Sequence, residues 1–302
     1  MGNILCLPLF IMTYNINNKY CFLVVIEDTE IFWSQLKLLL FSFRKNVQKY
    51  KNSKFWVLVN DGKVEQSKIK YLQNQFHPLE IVQQKSEINF YYKKTHYHKT
   101  YRKYNAYIHF DQVDQFDRII HLDSDFIFTG DFVELLESDN SDFSAHPSGS
   151  LVVPIKHLKF IKSFFQYSDT KIHRVQQQWL NKIKLAHPYR HKSMIKIPNF
   201  NSGFLNMNKN GFTCIKNNIE HYLQKIFISK SSWKLEQIAL SLLVIHEMKN
   251  YSISSIHFRG PSCFHMFTQK YGNTHYGGTI PSRNMPKLVL NIISDFKKCN
   301  YI

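Results

Sequence analysis

A chain of 302 residues, 44% hydrophobic and 15% aromatic, is long and apolar enough to bury a large core, which excludes a disordered polypeptide. Its formal net charge of +17 permits an anionic partner such as a phosphorylated substrate, a nucleic acid or an acidic membrane face, but lysine and asparagine are frequent throughout, so the charge also follows from composition alone. Five scattered cysteines (Cys6, Cys21, Cys214, Cys263 and Cys299), with no Cys-x-x-Cys pair, argue against a disulfide framework or a zinc site and fit a reducing compartment.

Ile4 to Met12 is apolar but far shorter than a membrane span, and it lacks the basic flank of a secretory signal. Met1-Gly2-Asn3 with Cys6 has the outline of an acylated amino terminus, but Cys6 stands where Ser or Thr is usual. Residues 1–18 are therefore expected to form a disordered or loosely packed leader, and 19–302 one domain. The expected location is cytoplasmic, or the cytosolic face of a membrane with peripheral contact.

Tyr20 to Ile26 is a continuous apolar run, as in a strand buried on both faces. Glu27 to Glu30 supplies helix-start chemistry, and Phe32, Leu36, Leu39, Leu40, Phe43 and Val47 recur at helical spacing to about Tyr50. Lys54 to Val59 reads as a second strand, Val64 to Phe76 as a helix, and Leu79 to Val82 as a short strand. Strand and helix in alternation predict an α/β fold, a mostly parallel sheet with flanking helices. The basic, aromatic stretch from Tyr91 is expected to enter a helix reaching Phe110, with Tyr104, Tyr107 and Ile108 on its inner face.

Phe116 to Leu122 reads as the next strand, and it delivers Asp123-Ser124-Asp125 to its carboxyl end. In open α/β sheets that edge is where ligands bind. Aspartates one apart there can share one hard divalent cation, and oxygen ligands suit magnesium or manganese. Such an ion commonly completes its shell with substrate phosphates, so a metal–diphosphate site is expected. Farther on, Phe132 to Leu136 begins a short helix and Ser150 to Val153 is a strand. Residues 155–195 form a helical insertion or acceptor-facing region. Asn199 to Met207 reads as loop, then strand; helices follow near Cys214 to Ile226 and Lys234 to His246. Ser252 to Phe258 is a last strand before an aromatic, Gly-rich tail.

With these blocks in order, the chain resembles the metal-dependent glycosyltransferases of the GT-A (Rossmann-like) fold, nearest to family 8 and glycogenin-like enzymes. The resemblance covers residues 20 to 270. It rests on Phe22-Leu23-Val24-Val25-Ile26, on Phe116 through Asp125 followed by Gly130-Asp131, on Phe200-Asn201-Ser202-Gly203-Phe204-Leu205, and on His257-Phe258-Arg259-Gly260-Pro261. It implies transfer of a sugar from a nucleotide-diphosphate donor, a UDP-sugar first of all, to a glycan, protein or lipid acceptor, with retention at the anomeric carbon. It further implies a Mn2+ or Mg2+ ion on Asp123, Asp125 and His257.

By the same likeness Lys103 assists at the diphosphate, with Lys99 and Arg102 as alternatives because the spacing is a few residues longer here. Val25, Ser124, Ser202 and Gly260 line the donor, and Asn201 reads sugar hydroxyls. Glu236-Gln237 matches an acidic-Gln pair near the anomeric carbon, where Asp is the usual acid. The alternative role for Glu236 is an exposed position on an amphipathic helix. One departure stands out: Cys263-Phe264-His265 replaces the family's Lys-Pro-Trp, so the diphosphate lysine is absent; either Arg259, Lys270 or Arg283 supplies its charge or the diphosphate is held less tightly. That departure motivates a second reading, a catalytically inactive GT-A descendant that binds nucleotide or glycan. A third, nucleic-acid binding through Tyr91 to Tyr104, has no accompanying motif, so no specific nucleic acid is expected.

Overall fold

The computed structural model describes residues 17–48, 50–60, 62–84, 104, 107, 110–130, 139–154, 194–225, 232–248, 251–253, 263–265 and 287–299. Its strands are β1 (Asn17–Glu27), β2 (Ser53–Asn60), β3 (Leu79–Gln84), β4 (Arg118–Leu122), β5 (Phe126–Phe128), β6 (Phe143–Pro154), β7 (Met194–Asn208), β8 (Tyr251–Ile253) and β9 (Cys263–His265). Its helices are α1 (Glu30–Asn46), α2 (Gln66–Gln75), α3 (Lys209–Lys225), α4 (Ser232–Glu247) and α5 (Lys287–Lys298).

Seven strands form one sheet in the order β3-β2-β1-β4-β7-β6-β8, and β5 pairs with β9 in a separate ribbon. Only β7 runs against its neighbours in the large sheet, antiparallel to β4 and to β6. The expected α/β architecture with a mostly parallel sheet is therefore what forms. From β1 the chain builds outward to β2 and β3, then returns to place β4 on the other side of β1. The crevice between the carboxyl ends of β1 and β4 is the switch point of the topology.

Alternation along the strands divides the core. Cys21, Leu23, Ile119 and Leu205 face a cluster built with Tyr104, Tyr107, α3 and α4. Tyr20, Phe22, Val24, Ile120 and Leu122 face α1 and α2. On that second side Phe22 stacks on Phe55 at 5.0 Å between ring centroids, and Phe43 meets Phe22 edge-on at 4.7 Å. Such pairs each add about 0.5–1.5 kcal/mol beyond area burial. The helical pattern of α1 thus has a partner along its length, which is why the apolar runs of β1 and β2 settle as strands buried on both faces.

Several boundaries differ from the sequence reading. Asn199 to Met207 is strand throughout, because the backbone of β7 stays paired with β6 on one side and with β4 on the other. It carries a bulge: Ala145 pairs with Leu205 and Pro147 with Phe200, so His146 alone opposes Asn201, Ser202, Gly203 and Phe204. α3 begins at Lys209, five residues before Cys214, because Asn208 caps it; its Oδ1 accepts the Gly211 amide at 3.0 Å. The strand expected at Ser150 to Val153 is the distal part of the longer β6. Strand β1 begins at Asn17, inside the expected leader, and β4 begins at Arg118 after a 3-10 turn at Val113–Gln115.

The tail holds a strand and a helix that the sequence reading missed. In α5, Val289, Ile292, Ile293 and Phe296 are buried against Leu38 of α1 and Ile127 of β5. The expected leader residues 1–16, the basic run, the Phe132 helix, most of 155–195 and the end of the last expected strand lie outside the described residues. No helix among the described residues is long and apolar enough to cross a membrane.

Candidate active site

Strand β4 is apolar except at Arg118 and His121. At its amino end Arg118 is buried and ties three segments together. Its Nε donates to Asn206 Oδ1 at 2.6 Å, and its terminal nitrogens donate to the Asp139 and Ser141 carbonyls at 2.8 and 3.0 Å. Asn206 in turn donates to Asp139 Oδ2 at 3.3 Å and to Ser144 Oγ at 3.0 Å. This network holds β4, β7 and β6 in register, and the opposite end of β4 carries the site.

There the chain turns. The Phe126 amide donates back to the Asp123 carbonyl at 3.3 Å, closing a tight turn over Ser124 and Asp125. The Asp123 amide donates to the Gly203 carbonyl at 2.9 Å, which seats the turn beside the bulge of β7. Within that bulge Asn201 Oδ1 accepts the Gly203 amide at 2.8 Å. Bulges beside sites re-aim side chains. Here the bulge brings Asn201 and Ser202 next to Asp123 without a long loop. The sequence-predicted Asp123, Ser124, Asp125, Asn201 and Ser202 are thus neighbours.

Alternation then sorts the three turn residues. Ser124 points toward α1, is buried, and donates to Gln35 Oε1 at 2.7 Å. Its hydroxyl is therefore an anchor, and any contact with a donor would come from its backbone. Two more polar residues of α1 hold the following strand. Ser42 Oγ accepts the Phe128 amide at 3.0 Å, and Asn46 donates to the Phe128 carbonyl at 2.7 Å. Gln35, Ser42 and Asn46 were not singled out in the sequence. Their signal is that they are polar positions within an otherwise apolar helix flank, which is favourable only where a polar group opposite needs a partner.

Asp123 goes the other way, onto the face it shares with His121, and its side chain is 37% exposed. Asp125 is half-buried. Beneath Asp123 lies His121, 1% exposed, with Nε2 3.7 Å from Asp123 Oδ1. Its ring meets Tyr107 edge-on at 5.5 Å. Tyr107 meets Tyr104 at 5.6 Å, and the Tyr104 hydroxyl donates to Glu236 Oε1 at 3.1 Å. A polar seam therefore runs from Glu236 on α4 to Asp123. Both phenols are pushed well above their ordinary range: Tyr104 by burial, then by the Glu236 charge, and Tyr107 by burial, then by Asp123 and Glu236. They stay protonated, so Tyr104 donates and Glu236 accepts.

Glu236 is 1% exposed, which rules out the solvent-facing role. Its neighbour Gln237 is also buried, with an Oε1 that accepts no hydrogen bond among the described residues. Val25, the penultimate apolar residue of β1, is partly buried against the α3/α4 side of the core. At the end of β1, Asp28 Oδ1 accepts the Trp33 indole N–H at 2.7 Å, and Lys68 lies 4.6 Å over that indole ring. Lys99, Arg102, Lys103, His257 and Gly260 lie outside the described residues. Cys263 to His265 is described as backbone, and His265 pairs with Phe126, one residue past Asp125.

The carboxylates of Asp123 and Asp125 supply oxygen donors, partly exposed and adjacent in a turn, which fits a hard divalent cation. No cluster of three or more His, Cys, Asp or Glu side chains able to hold a metal gathers among the described residues.

No family model matches the chain, and no curated protein matches it by sequence. Solved structures do. The galactosyltransferase LgtC, in complex with donor and acceptor sugar analogues, superposes with a TM-score of 0.52 at 10% identity, covering 91% of this chain and 95% of that one. Core-mannan synthase A from Aspergillus fumigatus, in its Mn/GDP form, gives 0.51 at 9% identity, with 92% and 82% covered. The glycosyltransferase GlyE of Streptococcus pneumoniae gives 0.50 at 14% identity over 94% of this chain, which spans 64% of GlyE's length. At these identities the likeness is one of fold. The mostly parallel sheet with helices on both faces is that of the GT-A glycosyltransferases.

Proposed function

We propose that the chain is a metal-dependent glycosyltransferase, nearest in kind to family 8, which moves a sugar from a UDP-sugar or related donor to a glycan, protein or lipid acceptor. The observation that carries the reading is the position of Asp123 and Asp125: a tight turn at the carboxyl end of β4, beside the switch point of a GT-A sheet. In this reading the two carboxylates and His257 hold Mn2+ or Mg2+. A cation held there would supply Lewis-acid neutralisation of the charge on the leaving diphosphate.

The chain's own groups complete the work. Lys103, or Lys99 or Arg102 near it, adds positive charge at the diphosphate. Asn201 and Ser202, carried on the bulge of β7, read sugar hydroxyls without adding charge. Val25 and the backbone of Ser124 and Gly260 shape the donor pocket. Glu236, held by Tyr104, and Gln237 close the floor on the α4 side and are the polar groups expected nearest the anomeric carbon. Retention is supported by the family resemblance alone.

A panel of UDP-, GDP- and ADP-sugars incubated with manganese, scored for donor hydrolysis, tests this without knowledge of the acceptor. The expected result is slow hydrolysis of one nucleotide class, abolished by chelator. Tight nucleotide binding with no hydrolysis of any donor would instead favour the binding-only descendant. Neither binding nor hydrolysis would reject the reading.

A further inference from the structure

His121 is the one polar residue in the apolar run Ile119-Ile120-His121-Leu122, and the structure sets it where an apolar side chain would fit. Its register partners on the two flanking strands are Leu23 of β1 and Leu205 of β7, both fully buried. Ile119, two residues earlier on the same face, packs in the same cluster. Placing an imidazole among these neighbours costs free energy unless its nitrogens are engaged. Among the described residues one polar side chain it faces is Asp123: residues i and i+2 of a strand share a face, and Nε2 lies 3.7 Å from Oδ1. Tyr107 walls the other side of the ring, and the Asp123 charge reaches the Tyr107 hydroxyl as well.

We infer that His121 is a positioning residue: from beneath the turn it fixes the orientation of the Asp123 carboxylate toward a divalent cation. The inference deepens the proposed function and rests on its assignment of Asp123 as a metal ligand. The chemistry is that of an outer-shell partner. A ligating carboxylate holds its geometry when one oxygen leans on a donor behind it, and loss of such a partner typically lowers metal affinity about 10–100-fold. A 3.7 Å approach is long for a hydrogen bond, and contacts of this kind commonly tighten when the ligand arrives.

The test is Mn2+ binding in the presence of UDP, followed by the loss of the free-ion paramagnetic resonance signal, so that turnover is not the readout. His121→Leu matches Leu23 and Leu205 in character, and His121→Phe fills the ring's place against Tyr107; the two apolar variants check each other for folding. Either one, folded with an unchanged melting midpoint, is expected to bind Mn2+ about 10–100-fold more weakly. His121→Gln, which restores an N–H at similar reach, is expected to recover most of that loss. Parent-like Mn2+ affinity in the apolar variants would overturn the inference while leaving the metal site standing. No Mn2+ binding by the parent protein would overturn the metal reading itself, and this inference with it.

Discussion

Asp125→Asn is expected to abolish sugar transfer, with turnover reduced about 10³-fold or more, while the protein melts close to its parent. The size follows from the role. Metal neutralisation of a leaving diphosphate contributes several kcal/mol in the transition state, and each 1.36 kcal/mol is a factor of about ten in rate. The amide is nearly isosteric with the carboxylate but is a poor ligand for a hard cation. The fold is expected to tolerate it because Asp125 sits half-buried in a turn and the change keeps its size. The turn itself is held by backbone bonds from Asp123 and Phe126 and by the Ser124–Gln35 bond, none of which uses the Asp125 carboxylate. Donor hydrolysis and a thermal melt, run side by side, check both halves; near-normal turnover would remove Asp125 from the site.

Arg118→Met is expected to do the reverse, unfolding the protein easily without touching the chemistry directly. Arg118 lies at the far end of β4 from Asp123 and is buried, with Asn206, Asp139 and Ser141 as its partners. Breaking a buried charged network by removing one member costs about 3–5 kcal/mol. The melting midpoint should fall by on the order of 10 °C. The same network predicts an acid limb. Burial works to raise the Asp139 carboxyl, but hydrogen bonds from Ser141 and Ser144, and then the Arg118 charge, outweigh it and hold it below its ordinary 3.8. A carboxylate with a depressed folded value contributes stability above its unfolded value and loses it as pH falls through the folded one. Stability of the parent should therefore drop as pH goes below 3.8, and the gap between parent and Arg118→Met should narrow there. A constant gap across that range would show that the Asp139 charge does not depend on Arg118.

What could be read from the chain, and what could not, divides along the range of the interactions. The runs of β1 and β2 are visible because a strand buried on both faces needs a nearly continuous apolar sequence, and β4 shows the same pattern broken only at His121 within Ile119–Leu122. Asp123 and Asp125 are visible because a compact pair of carboxylates directly after such a strand breaks sharply with the apolar residues on either side of it. The use made of Ser124 is not visible. Its partner Gln35 is 89 residues away, and only the packing of α1 on the sheet brings them together. Glu236 was legible as part of a pair, but its enclosure by Tyr104 depends on a contact across 132 residues.

The bulge in β7 was missed because Asn201-Ser202-Gly203 has turn composition, and a strand that bulges has the same composition locally. Helix α5 was missed although Val289, Ile292, Ile293 and Phe296 recur at helical spacing, because the preceding residues dominate the character of the tail. His121 left a signal that the apolar run obscured: one imidazole where its neighbours on both adjacent strands are leucine.

Titration calorimetry of UDP into the protein, with manganese and with excess chelator, tests directly whether Asp123 and Asp125 hold a cation at the diphosphate. A site in which Asp123 and Asp125 share a cation with the diphosphate predicts that manganese tightens UDP at least about tenfold, a gain of roughly 1.4 kcal/mol, and that the double change Asp123→Asn, Asp125→Asn erases the difference. Equal UDP affinity with and without the metal, unaffected by the double change, would contradict the account.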